Sequence, residues 1–385
     1  MSVAKKYWVF IFTYLSMFVL GMGDNVRGPL FSDLLSNFHL SNWQGSFSFA
    51  IASTAALCGN IASAYLFKKF TLKDVLTAAL IIMFAGLLSM GLANQFSIYV
   101  LGSVLFGVSM GLLGVTQTLL ISETVQPEQQ SKAMSGMHGI YGLSSLLAPI
   151  VAAQSAHIFN FWQAGFFVVA ATTLIFALGS IFLKSNPNFV VYQKPENPNQ
   201  VSDEKNSLLS LLSIGGIFAF YVVAEIMVSS RLALYMRTYF QMDLDGSSEY
   251  VTYFFIFLLA GRMLFAIKAF PVSLKRQLNI SLCGSLLFLV LGLKVHPFFL
   301  VLLGFSMAPY YPLSITYISE QTGIYKKRQF LTFALSFQSL CVITMHMGVG
   351  YLTDHFGLFY AFGVGIISLV LALVCVNVHP KVYSS

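Results

Sequence analysis

The sequence predicts an all-α membrane protein, with twelve transmembrane helices arranged as two parallel six-helix repeats. Three observations lead there. Only 9% of the 385 residues are charged while 57% are hydrophobic, and the mean hydropathy is +0.77. Apolar stretches long enough to cross a bilayer recur along the whole chain. The second half also repeats part of the first, letter for letter at its most distinctive residues. A water-soluble domain carries about 25% charged residues, so soluble enzymes, disordered scaffolds and nucleic-acid modules are excluded at the outset. A net charge of +7 then reads as basic loops beside a membrane, with no nucleic-acid partner.

A spanning helix needs about 20 apolar residues. On that scale the segments fall at 7–35, 43–67, 74–94, 96–124, 131–157, 162–183, 208–237, 247–268, 276–294, 297–322, 329–354 and 358–379. Lys5 and Lys6 run straight into the first of them without a cleavage site, which predicts a retained helix. One long polar stretch, KSNPNFVVYQKPENPNQVSDEK from Lys184 to Lys205, separates the sixth from the seventh. Its prolines and amides are linker composition. The expected domains are therefore a six-helix bundle over 1–183, a linker over 184–206 and a second bundle over 207–385.

Of the 21 basic residues, sixteen lie at the ends of the spans that share a side with both termini and the linker. Two, Arg237 and Lys294, lie on the opposite side, and Arg27, Arg231 and Arg262 remain inside spans. Positive residues accumulate on the cytoplasmic side of membrane proteins. Both termini and the linker are therefore expected in the cytoplasm, in a multi-pass protein of the inner membrane.

GVSMGLLGVTQTLLISE begins at Gly107 and GFSMAPYYPLSITYISE at Gly304, a shift of 197 residues without a gap. The match ends on Glu123 and Glu320. Two halves that both start inside and contain six spans are parallel repeats, which place a substrate site between them near mid-membrane.

With this plan the chain resembles the major facilitator superfamily over essentially its whole length. The loop after the second span resembles that family's basic signature in Lys68, Lys69 and Lys73 but lacks its acid. Gly350, Asp354 and Gly357 at the end of the eleventh span, and Gly261-Arg262 in the eighth, are similar to other familial patterns. Asp24 in the first span and Glu225 in the seventh resemble acids of the fucose-galactose-glucose proton symporters, whose fourth-span acid falls here on Gln117. Ala148-Pro149 followed by Ala152-Ala153 is similar to a fifth-span motif of drug–proton antiporters, with alanine for glycine.

Charge inside a bilayer costs about 2.5–3.5 kcal/mol per group, so each such residue needs a reason. Asp24 lies about 25 Å into its span, and Arg27, three residues on, shares its face. Glu225 and Arg231 offer an acid and an arginine from the corresponding span of the other half. The expected proton-coupling groups are Asp24, Glu225, His138 and His346. The expected substrate contacts are Arg27, Arg231, Asn25, Gln117, Tyr141, Tyr221, Tyr310, Tyr311 and Gln338. Glu123, Glu320, Arg262, Lys68, Lys69 and Asp354 are expected to gate, the two glutamates by pairing with basic residues at the rim.

Cys58, Cys283, Cys341 and Cys375 sit in apolar runs without metal or redox spacing. No nucleotide-binding motif or metal-ligand cluster appears, so the chain reads as neither enzyme nor pump and needs no cofactor. The expected function is proton-coupled transport of a small polar solute, sugar-like or an organic anion, by a monomer in the lipid bilayer. The alternative is proton-driven export of a drug-like or amphipathic molecule, and sodium coupling also stays open.

Overall fold

The computed structural model describes residues 3–183, 208–267, 271–321 and 324–378. Every element among them is a helix. In order these are α1 (Val3–Asn25), α2 (Phe31–Asn37), α3 (Asn42–Leu66), α4 (Leu72–Gly91), α5 (Phe96–Thr124), α6 (Pro127–Phe159) and α7 (Ala164–Ile181). Beyond the linker follow α8 (Leu208–Phe240), α9 (Leu244–Ile267), α10 (Leu274–Lys294), α11 (Phe298–Met307), α12 (Tyr310–Gln321), α13 (Ile324–Phe356), α14 (Leu358–Ala361) and α15 (Gly363–Val378). Eleven stretches among the described residues, from Asn42–Leu66 to Leu358–Val378, are long and apolar enough to cross a membrane. With α1 ahead of them they make up the twelve spans expected.

Two spans are interrupted where the sequence carries proline. The first does not run unbroken over 7–35: α1 stops at Asn25, turns through Gly28 and Pro29, and resumes as α2. The tenth stops at Met307 and restarts at Tyr310, on either side of Pro309. A proline supplies no amide hydrogen and clashes with the preceding turn, so both breaks follow from sequence. Each leaves backbone polar groups that must find other partners inside the membrane.

The chain divides into two compact units, 1–40 with 47–196 and 242–252, and 41–46 with 197–241 and 253–385. Two helices change allegiance along their length. The first turn of α3 belongs to the second unit and the rest to the first, while α9 does the reverse. In the first unit α4 packs on α5 and α7, and α1 packs on α5, α6 and α7. In the second, α8 packs on α13 and α15, and α10 on α11, α12 and α15.

The sequence repeat is also a repeat of contacts. Gly107 lies so close to the Ala52 carbonyl, and Gly304 to the Phe254 carbonyl, that a side chain at either would overlap it. Small residues at such crossings let helix backbones approach where apolar burial gives no driving force against lipid. Two residues later Ser109 donates to Phe106 O at 2.6 Å, and Ser306 to Leu303 O at 2.9 Å. A second pair of equivalent contacts has no counterpart in the letters. Lys73 Nζ donates to the Ile181 carbonyl at 2.8 Å, and Lys275 Nζ to the Asn377 carbonyl at 3.4 Å. Four residues after each lysine, Thr77 bonds Ser180 at 2.8 Å, and Asn279 exchanges two amide bonds with Asn377 at 3.2 and 3.1 Å. These lysines satisfy carbonyls that a helix C-terminus leaves unpaired.

Candidate substrate and coupling site

In the first unit the break after α1 organises a polar cluster. Asp24 receives the Arg27 guanidinium on Oδ1 and the Tyr141 hydroxyl on Oδ2 at 2.6 Å. Asn25 Nδ2 donates to Gly21 O and to Ser145 Oγ, each at 2.9 Å. Ser145 in turn donates to Tyr141 O at 2.8 Å. Tyr141 and Ser145 lie near the middle of α6, which sets the cluster deep in the helix packing. The Asp24 side chain keeps 28% of its surface exposed, whereas Arg27 keeps 7%. The Arg27 guanidinium lies 4.9 Å from the Phe49 ring and 4.7 Å from the Phe106 ring, against both faces of an aromatic slot. Arg27, expected among the substrate contacts, is buried against the acid, and the more accessible member of the pair is Asp24.

In the second unit Glu225, in the middle of α8, accepts from Arg262 Nη2 at 3.3 Å across to α9. Both side chains are partly exposed, 27% for Arg262 and 19% for Glu225. Arg262, expected to gate, is thus the arginine beside Glu225, and Arg231 is not. Six residues along a helix do not return to the same face, and Arg231 points away to donate to Ser46 Oγ at 2.8 Å. With 1% of its surface exposed it has no face for a solute.

Tyr221 and Tyr310, also expected among the substrate contacts, pack against each other. Their rings stack on each other at 4.4 Å and are fully buried. The Tyr221 hydroxyl donates to Met307 O at 2.7 Å and that of Tyr310 to Ile217 O at 3.0 Å. Tyr221 thus covers a carbonyl at the α11–α12 break, and the pair braces that break. Replacing Tyr310 with phenylalanine should lower stability by about 1 kcal/mol, measured by thermal unfolding. Tyr311, half-buried and edge-on to Phe218 at 5.7 Å, and Gln338, half-buried, remain available.

Gln117 is fully buried and donates to Ser16 Oγ at 2.9 Å, tying α5 to α1 instead of facing a solute. His138 is exposed on α6 and His346 is buried in α13. At the rim Lys68 lies 5.4 Å from the Tyr65 ring and Lys69 is exposed. The Glu123 and Glu320 side chains lie outside the described residues, as do both partners' geometry at Lys268. Asp354 is engaged at the start of α3. Beside that contact Ser41 and Gln44 form a capping box, a signal in the sequence that sequence reasoning missed.

A family model described as Major Facilitator Superfamily matches residues 13–344. Among curated proteins, the chain is 19% identical to Protein TsgA homolog of Buchnera aphidicola, over 91% of this chain and 89% of that one. It is 22% identical to Glucose/mannose transporter GlcP of Bacillus subtilis, over 82% of this chain and 83% of that one. Among solved structures, a D-xylose–proton symporter superposes with a TM-score of 0.80 at 15% identity, covering 98% of both chains. At that identity the likeness speaks for the fold, which is the one the helices describe. Twelve spans, repeated contacts at a shift of 197 residues and a family model running through both halves agree: the chain belongs to the major facilitator superfamily, a family of transporters and not of enzymes.

Proposed function

We propose that the protein is a proton-coupled secondary transporter of a neutral, sugar-like solute, working by alternating access. The carrying observation is that each unit holds one partly exposed acid beside an arginine, Asp24 at the break after α1 and Glu225 in the middle of α8. A protonatable carboxylate next to a fixed positive charge exchanges an ion pair for a proton, which lets proton binding bias the conformations. The Tyr141 hydroxyl, the Asn25 amide, Tyr311 and Gln338 supply the neutral donors and acceptors that a sugar's hydroxyls need.

An organic anion fits less well, because an anion site needs a guanidinium facing the solute. Arg27 and Arg231 are buried, and Arg262 is engaged by Glu225. The glucose/mannose and xylose transporters among the similar proteins favour the same solute class. The positive-side bias supports termini and linker in the cytoplasm and a place in the cytoplasmic membrane. The two bundles, 1–183 and 207–385, are proposed as the rocking bodies, in a monomer that needs no cofactor.

The test is uptake of radiolabelled glucose, mannose and xylose into proteoliposomes under an inward proton gradient. Accumulation that collapses with a protonophore supports the reading. Accumulation driven only by sodium overturns the proton, and competition by organic anions or drugs but not sugars overturns the solute class.

A further inference from the structure

The two oxygens of Asp24 face groups of different kinds. Oδ1 meets the Arg27 guanidinium, which also donates from Nε to Asp24 O at 3.4 Å and lies against the Phe49 and Phe106 rings. Oδ2 receives the Tyr141 hydroxyl at 2.6 Å. A proton on Oδ1 would point at a fixed positive charge, so an incoming proton settles on Oδ2. There it meets a hydroxyl, which both donates and accepts at the same atom.

Protonation therefore reverses the bond. While Asp24 is ionised, the Tyr141 hydroxyl donates to Oδ2. Once Oδ2 carries a proton it donates to Tyr141 Oη, and the phenol hydrogen must turn to another acceptor. No proton leaves the tyrosine, and no heavy atom has to move. Asn25 presents Nδ2, a donor, to the same hydroxyl at 3.5 Å, so it does not accept the released hydrogen. Arg27 keeps Oδ1, the backbone oxygen and both rings in either state, so neutralising the acid strands no charge.

The ring is fixed from its backbone. Ser144 and Ser145 both donate to Tyr141 O, at 2.7 and 2.8 Å, and Asn25 Nδ2 ties Ser145 to the end of α1. A Cβ on Gly21 would overlap Ser144 Oγ, so glycine there lets α6 close on α1. The ionisable surroundings are sparse. Among the helices packed on α1, α7 carries no ionisable side chain, and α5 brings Tyr99, within electrostatic reach of Arg27, and Glu123 at its far end. On α6 His138 is exposed one turn before Tyr141, with Glu128, Lys132 and His157 further along. Cys58 and Tyr65 lie further down α3 than Phe49, and α2 adds Asp33. A shift of 197 residues from Tyr141 lands on Gln338, whose amide donates from one atom and accepts at another. The second half has no reversible bond at that position.

We infer that Tyr141 links the proton to the solute: its hydroxyl is held by ionised Asp24 and is released, as a donor to a solute oxygen, when Asp24 takes up a proton. This rests on Asp24 being a proton carrier of the proposed transport. Both side chains are partly exposed, so a solute can reach them. Linkage is reciprocal, so a solute that accepts this hydrogen strengthens proton binding at Asp24 by the same factor. The solute chemistry selected is an uncharged acceptor oxygen, as in a sugar hydroxyl.

The first measurement uses the full chain in detergent without any solute. The infrared C–O stretching band of a tyrosine differs according to whether its hydroxyl donates or accepts, and Tyr141→Phe identifies the band. Between alkaline and acidic pH the band should pass from the donor to the acceptor form, and Asp24→Asn should abolish the change. A Tyr141 band that keeps one form at every pH overturns the inference, whatever the protein transports. The second measurement is D-glucose titration over the same pH range. Affinity should rise about tenfold toward acidic pH, the worth of one hydrogen bond, and Tyr141→Phe should show one weak affinity throughout. Ser145→Ala, which disturbs the cluster but leaves the hydroxyl, should keep the pH dependence. A pH dependence that survives Tyr141→Phe, or that Ser145→Ala removes equally, overturns the link. No glucose binding at any pH counts against the sugar reading alone, and the infrared result still decides the role of Tyr141.

Discussion

Asp24→Asn is expected to abolish uphill transport while leaving exchange of solute across the membrane intact, and Glu225→Gln is expected to do the same. A symporter moving one proton per solute can hold about a tenfold gradient for each unit of pH difference, or about 1.4 kcal/mol. In proteoliposomes the accumulation ratio should therefore fall from about ten to one, with counterflow continuing. The reason is electrostatic. Asparagine keeps an acceptor for the Tyr141 hydroxyl but cannot alternate between an ion pair with Arg27 and a protonated state. If both variants still concentrate solute, neither acid carries the proton. If only one does, the acid of the other unit is the coupling group.

Arg27→Ala is expected to lower stability by about 2–3 kcal/mol, a larger effect than its removal from a solute contact could produce. Removing one partner of a fully buried ion pair costs about 3–5 kcal/mol, and the partial exposure of Asp24 reduces that. The contacts with the Phe49 and Phe106 rings add to the loss. The double variant Arg27→Ala with Asp24→Asn should recover part of it, because no carboxylate is then left unpaired. Unfolding in detergent measures both. An unchanged unfolding midpoint with weakened solute binding would return Arg27 to the solute.

The fold was legible in the sequence because a membrane leaves few options. Every span must satisfy its own backbone, so apolar length alone counts the helices. The Asp24–Arg27 pair was legible for a related reason: three residues of separation keep the two side chains within reach even across the turn that follows α1. What could not be read was any pairing between helices. Glu225 on α8 meets Arg262 on α9 through their side chains, and no spacing along the chain encodes that distance. The same limit hid the partners of Tyr221 and Tyr310, whose hydroxyls meet Met307 O and Ile217 O. The contact between Lys275 and Asn377 and its first-half equivalent preserve a repeat that sequence comparison passes over, since threonine and serine became two asparagines.

The bond between Asn42 and Asp354 joins residues 312 apart, and this has a bearing on how the protein is made. At about 5–20 residues per second, roughly 15–60 seconds pass between synthesis of α3 and synthesis of its cap. For that interval α3 waits in the membrane with the Asn42 and Trp43 amides open, and water must serve in place of Asp354. The helix that starts the second span is thus among the first to be inserted and among the last to be finished. A chain stopped before Asp354 would hold nearly all its spans and still carry an unsealed end.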